Sequence, residues 1–282
     1  MKSQLNQIWA LGDTEIDLFR KMSNILSIEY GTLFIEETHQ HRICFDSNVI
    51  NEPAYRELSD LWIIAYSPIE KRIRMTFLQA KYHRKNLLPS RIFHGDYFQY
   101  ELLSTRPLLT HGSSFNFPAN ILKFDCCDSV GSYGVFYIDY DKKIDMAYCC
   151  ASQLTADNEP TSYRQFFVNL SFPPITVSEQ IIKCRCNICS ELNYTFDIDI
   201  FTENLLELNI GAEVLQEHFD IISFLKFFLQ RNLINENLNQ LLDLINDDFN
   251  GGRIDGNDFF KSEGGNPHIL LINVDGKYKN GE

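Results

Sequence analysis

Residues 57–84 read ELSDLWIIAYSPIEKRIRMTFLQAKYHR, and the two apolar runs in this stretch decide how the chain folds. LWIIAY (61–66) and IRMTFLQAKY (73–82) are rich in β-branched and aromatic residues, and Ser67-Pro68 between them is a turn-initiating pair. The pattern predicts an antiparallel hairpin with strands apolar enough to be central in a sheet. A turn centred between Ile69 and Glu70 brings Asp60 opposite Gln79. Directly opposed residues share a face, with Cβ atoms roughly 4.5–5.5 Å apart, and Lys81, two residues beyond Gln79, lies on the same face. A slip of one residue would turn Asp60 away. The expected result is a carboxylate, an amide and an ammonium group at one end of the hairpin. Carboxylate and amide oxygens are hard ligands suited to Mg²⁺. A lysine beside such an ion can orient the attacking water and offset charge in a phosphoryl transition state.

Upstream, residues 13–28 carry apolar side chains at 16, 18, 19, 22, 25 and 26, the spacing of an amphipathic helix, with Asp13 or Thr14 as N-cap. Residues 32–45 read as a strand pair or a strand and loop, and 48–55 as a turn-rich loop. Downstream, residues 95–175 read as mixed strands and loops, with a hairpin of 134–140 and 144–152 across Asp141-Lys142-Lys143. A long helical period runs over 212–246 with a break near 232–235, and PHILLINV (267–274) is a final strand. A soft boundary near residue 95 divides a first unit, 1–95, from a mixed and then helical region, 96–282. The fold class is α+β or α/β.

The stretch around the hairpin resembles the core of the PD-(D/E)XK nuclease superfamily, in the variant where Gln replaces the second acid. ELSDLWIIAYS and RMTFLQAKYHR carry the likeness, which covers roughly residues 10–95. The resemblance implies a restriction-endonuclease-like mixed sheet flanked by helices. It implies Asp60 and Gln79 as ligands of Mg²⁺ or Mn²⁺ and Lys81 as the catalytic cation. Because Gln79 brings no charge, a further acid is expected to help hold the metal; Glu15 on the preceding helix, Glu57 three residues before Asp60, and Glu37 are the candidates. The family further implies a DNA-cleaving hydrolase in bacterial defence against foreign or phage DNA. A nuclease-like subunit that has lost activity and scaffolds a complex is the alternative.

The 282-residue chain has 44% hydrophobic and 13% aromatic residues, which excludes a disordered or fibrous protein. No apolar run reaches the ~18 residues of a membrane span, and no secretory signal is evident, so a cytoplasmic protein without a membrane partner is expected. The net charge is −13, but residues 191–282 hold 17 acidic and 6 basic side chains, so the first 190 carry only −2. Within them, residues 71–91 (KRIRMTFLQAKYHRKNLLPSR) hold seven Lys or Arg and no acid, an electrostatic footprint for a polyanion. Lys71, Arg72, Arg84 and Lys85 are the expected DNA contacts. The acidic C-terminal region, repelling DNA, is expected to meet a protein partner or a second copy. Eight Cys read as thiols in a reducing compartment. A structural Zn²⁺ site at Cys184, Cys186 and Cys189 would need a fourth ligand from Cys126, Cys127, Cys149, Cys150 or a His, and buried thiols are the favoured reading.

Overall fold

In the computed structural model, residues 1–36, 42–112, 117–124, 128–162, 166–174, 181–183, 191–231, 236–249 and 267–278 are described. The expected hairpin is its centre. Strands Leu61–Ser67 (β4) and Arg72–His83 (β5) pair antiparallel from Leu61 opposite Leu78 to Ser67 opposite Arg72, the register that faces Asp60 towards Gln79. Every residue of β4 is buried, as its unbroken apolar run requires.

Around this hairpin the main sheet runs β1 (Gly31–Ile35), β15 (Ile269–Asn273), β4, β5, β8 (Gly131–Ile138), β9 (Ile144–Cys150), β13 (Leu192–Thr195) and β12 (Ile181–Lys183). The short β14 (Ala212–Glu213) also pairs with β5, at Met75 and Arg74. β15 lies parallel to β4, and β8 lies parallel to β5; the other pairings are antiparallel, so the sheet is mixed. Alternation sends Leu61, Ile63, Ala65, Leu78 and Ala80 to one face, under helices α1 (Lys2–Ile8), α2 (Glu15–Leu26) and α4 (Ile198–Leu206). Trp62, Ile64, Tyr66, Met75 and Phe77 face the other way, under α3 (Tyr97–Thr105), α5 (Phe219–Arg231) and α6 (Glu236–Asp248). Trp62 anchors this second layer, its ring 5.2 Å from Phe77, 6.0 Å from Phe224 and 6.1 Å from Phe228. Two three-stranded sheets share that side: β3 (Pro53–Glu57), β2 (Arg42–Asp46) and β7 (Leu109–Gly112), and β10 (Thr155–Ala156), β11 (Phe167–Ser171) and β6 (Ile92–Asp96).

The protein is thus α+β, a mixed sheet flanked by helices. Several local expectations are corrected. The boundary expected near residue 95 falls within β6, and the main sheet combines β1, β4 and β5 from before it with β8, β9, β13 and β15 from beyond it. The strands in 32–45 do not pair with each other; β1 joins the main sheet and β2 a small one. Residues 53–55 belong to β3 rather than a loop. The helix expected from 212 starts at Phe219, because Ala212 and Glu213 extend along β5. The apolar side of α5 and α6 is covered by the chain's own sheet through Phe224, Phe228, Leu241 and Ile245. No helix among the described residues is long and apolar enough to cross a membrane.

Candidate active site

β5 outruns β4 at its C-terminal end, and there its free edge meets the residues that precede β4. Asp60 Oδ2 accepts the Ala80 amide proton at 2.9 Å and the side-chain amide of Gln79. The Gln79 side chain is only 5% exposed, and its Oε1 is buried with no hydrogen-bond partner among the described residues. A buried carbonyl oxygen left bare is costly and marks a position where a ligand can repay that cost. Asp60 itself has its pKa raised, chiefly by burial and further by the carboxylate of Glu15; the Lys81 ammonium and the hydrogen bonds from Gln79 and Ala80 pull the other way.

Glu15 arrives from the opposite face of the sheet. Thr14 and Asp17 form a capping box, with the Thr14 hydroxyl accepting from Asp17 N at 3.2 Å and the Asp17 carboxylate accepting from Thr14 N at 2.9 Å. This starts α2 at Glu15, whose Oε1 accepts the Tyr82 amide at 3.1 Å. Glu15 is therefore tied to the backbone of β5 and acts on Asp60 through its charge.

Asp60, Gln79 and Lys81 line a cleft of about 480 Å³. Arg42, Tyr55, Arg56 and Glu57 on β2 and β3 form one wall; Asp96 at the end of β6, Gln99 on α3 and Phe166 just before β11 also line it. Glu57 thus shares the cleft with Asp60, opposite Arg42 in the β2–β3 ladder. Arg56 Nε donates to both carboxylate oxygens of Asp96, at 3.0 and 2.9 Å, and its guanidinium lies 4.9 Å from the Phe98 ring and 5.5 Å from that of Phe166. Arg42, Tyr55, Arg56 and Phe166 were not anticipated from sequence. They lie up to 106 residues from Asp60 along the chain and carry no spacing signal.

The basic run 71–91 is split by the fold. Lys71 Nζ meets Asp248 Oδ1 at 2.6 Å, and Arg72 pairs with Glu213 at 3.0 Å and Glu70 at 3.1 Å. Arg74 is buried against Glu191 and Glu213. Lys71 is ten residues from Lys81 on an extended chain, roughly 33 Å at ~3.3 Å per residue. The acids of the C-terminal region thus neutralise the turn end of the hairpin, and the expected DNA contacts Lys71 and Arg72 stand far from the trio. Arg84 and Lys85 are exposed just past Lys81. His83, between them, has its pKa lowered by burial and by the neighbouring Lys85 and His94 charges, which marks this end as electropositive.

Among the described residues no group of three His, Cys, Asp or Glu side chains is close enough to hold a metal ion. Glu37, and the cysteines 126, 127, 184, 186 and 189 of the Zn²⁺ expectation, lie outside the described residues; Cys44, Cys149 and Cys150 are buried. A larger cavity, about 700 Å³, opens where the start of β1, the β4–β5 turn and α6 meet, but Glu29, Glu236, Asp243, Asp247, Asp248 and Asp275 line it without any Lys or Arg, which suits no polyanion. Comparison of the chain with protein-family models, curated proteins and solved structures finds no match.

Proposed function

We propose that the protein is a divalent-metal-dependent deoxyribonuclease with a PD-(D/E)XK, restriction-endonuclease-like core. The observation that carries this reading is the bare, buried Oε1 of Gln79 beside the Asp60 carboxylate and Lys81, on the floor of a cleft walled by Arg42 and Arg56. The donor set fits Mg²⁺ or Mn²⁺, hard ions that commonly take one or two protein carboxylates and complete their shell with water and phosphate oxygens. Asp60 and Gln79 Oε1 would hold the ion, with Glu57 and Glu15 adding negative charge nearby. When bound, it supplies Lewis-acid polarisation of the scissile phosphate.

The chain's own groups do the rest. Lys81 donates to the non-bridging oxygen on which charge grows as the phosphorus becomes five-coordinate, in a recess where such a bond is stronger than in water. The backbone amide of Ala80 holds Asp60 in place, so its carboxylate needs little reorganisation. Arg42 and Arg56 line the cleft, with Arg56 held against Asp96, beside the floor formed by Asp60, Gln79 and Lys81. A cytoplasmic role in defence against foreign DNA belongs to the same proposal and rests on the resemblance alone.

The test is supercoiled plasmid incubated with Mg²⁺, Mn²⁺ or EDTA. Lys81→Ala and Asp60→Ala, each checked for folding by circular dichroism, should lose at least about 10²–10³ in rate. A folded Lys81→Ala protein with full activity overturns the assignment. The direct hydrogen bond between Asp60 and Gln79, with no three His, Cys, Asp or Glu side chains close enough to hold an ion among the described residues, favours a second reading, an inactive nuclease-like scaffold. Wild-type protein that binds DNA in EDTA and never cuts it would establish that reading.

A further inference from the structure

Resting on the nuclease reading, we infer that the cleft receives an unpaired strand, with its bases stacked on the aromatic side chains of the walls, rather than an intact duplex. Three independent observations lead there. The first is depth. Gln79 is 5% exposed and sits on the main sheet, while the walls rise from two separate three-stranded sheets and α3. A cleft of about 480 Å³ has the size of a small-ligand site. A duplex presents its phosphates on a broad, stiff rod, whereas a single strand, or one splayed away from its partner, is flexible enough to bend into a recess of this size.

The second observation is aromatic. Tyr55 lines the cleft yet is 58% exposed, and Phe166, also in the lining, has its ring 4.4 Å from that of Phe167, which is 68% exposed. Among the described residues four aromatic side chains are exposed, Tyr55, Tyr140, Phe167 and Phe219, and two of these lie at or next to the cleft lining. Base-on-ring stacking contributes to strand binding without regard to sequence, because every base has a π-face.

The third is the course of positive charge. On β5, Gln79, Lys81 and His83 alternate onto one face, and Arg84 and Lys85 follow, both exposed. The cations therefore leave the cleft as a track, which suits a backbone running through it while the bases turn to Tyr55 and the Phe166–Phe167 pair.

The experiment uses the full chain, a labelled 30-nucleotide single strand, and the blunt duplex of the same sequence. Cleavage is followed in Mn²⁺ and binding by fluorescence anisotropy in EDTA. The strand should be cut in preference to the duplex and bound more tightly. Tyr55→Ala and Phe167→Ala should each weaken strand binding about 5- to 150-fold, the range of one base-stacking contact. Tyr55→Phe should keep more of that binding than Tyr55→Ala. Tyr140→Ala, an equally exposed ring beside Asp139 and Asp141 and away from the cleft, should leave it unchanged. Preferential cutting of the duplex, or strand binding indifferent to Tyr55 and Phe167, overturns the inference and leaves the nuclease reading standing. A folded protein that cuts neither substrate but binds the strand through Tyr55 overturns the nuclease reading and upholds the cleft's preference for an unpaired strand.

Discussion

Asp60 is a residue whose burial works against it. Its pKa is raised, so the ionised form is the one the fold disfavours. The stability this side chain contributes is full at acid pH and is lost as pH rises through its raised folded value. At neutral pH in EDTA, Asp60→Asn should therefore melt above wild type, and the gap should close as pH falls towards the ordinary carboxylate range. Added Mg²⁺ should raise the wild-type melting temperature and leave Asp60→Asn where it was, because a bound cation stabilises only the protein that holds it. Thermal melts at two pH values with and without Mg²⁺ check both statements. A less stable Asp60→Asn protein at neutral pH would mean that the Lys81 charge outweighs burial.

At the level of elements, β5 is held by what touches its middle as much as by β4. Arg74 is 2% exposed; Nη1 donates to Gly211 O at 2.7 Å and to the fully buried Glu191 at 3.4 Å, and Nη2 reaches Glu213 at 3.2 Å. Gly211 permits this approach: its φ is +88°, and a Cβ there would lie 2.7 Å from Met75 O. Arg74→Ala strands the Glu191 carboxylate in the interior and should cost about 3–5 kcal/mol. Replacing the pair together, Arg74→Met with Glu191→Gln, should cost less than Arg74→Ala alone, since no unpaired charge is left behind. Urea titration reads both as a shift in midpoint at unchanged slope.

For the whole molecule, the last strand completes the first half. All five residues of β15 are buried between β1 and β4, so a chain ended at residue 266 exposes the apolar edge of β4. That truncation, like the fragment 1–95, should show no cooperative unfolding transition in a thermal melt. The charge arrangement makes a separate prediction. Lys71 and Arg72 are spent on Asp248 and Glu213, so replacing both with Ala should leave the salt dependence of DNA binding unchanged. Replacing Arg84 and Lys85 should lower the slope by about one unit per lost contact. An altered slope in the first pair would show that DNA reaches the turn end of the hairpin.

The sequence alone determined the β4–β5 register, the amphipathic helix α2 capped at Asp13 or Thr14, the β8–β9 hairpin and the closing strand. These rest on period, caps and turn residues, which act between neighbours in the chain. That is also why the meeting of Asp60 and Gln79 was legible: it follows from counting across one tight turn. α3 escaped because its residues YFQYELLST are buried nearly all round and show no polar stripe to betray a helical period. Only the tertiary structure decided that β15 enters the sheet beside β4, that Arg42, Tyr55, Arg56 and Phe166 wall the cleft, and that acids of the C-terminal region pair with three of the seven basic residues of the run, Lys71, Arg72 and Arg74. Those outcomes depend on long-range burial and ion pairing between segments tens to hundreds of residues apart, and no local pattern encodes which partner a buried strand or a charged side chain will find.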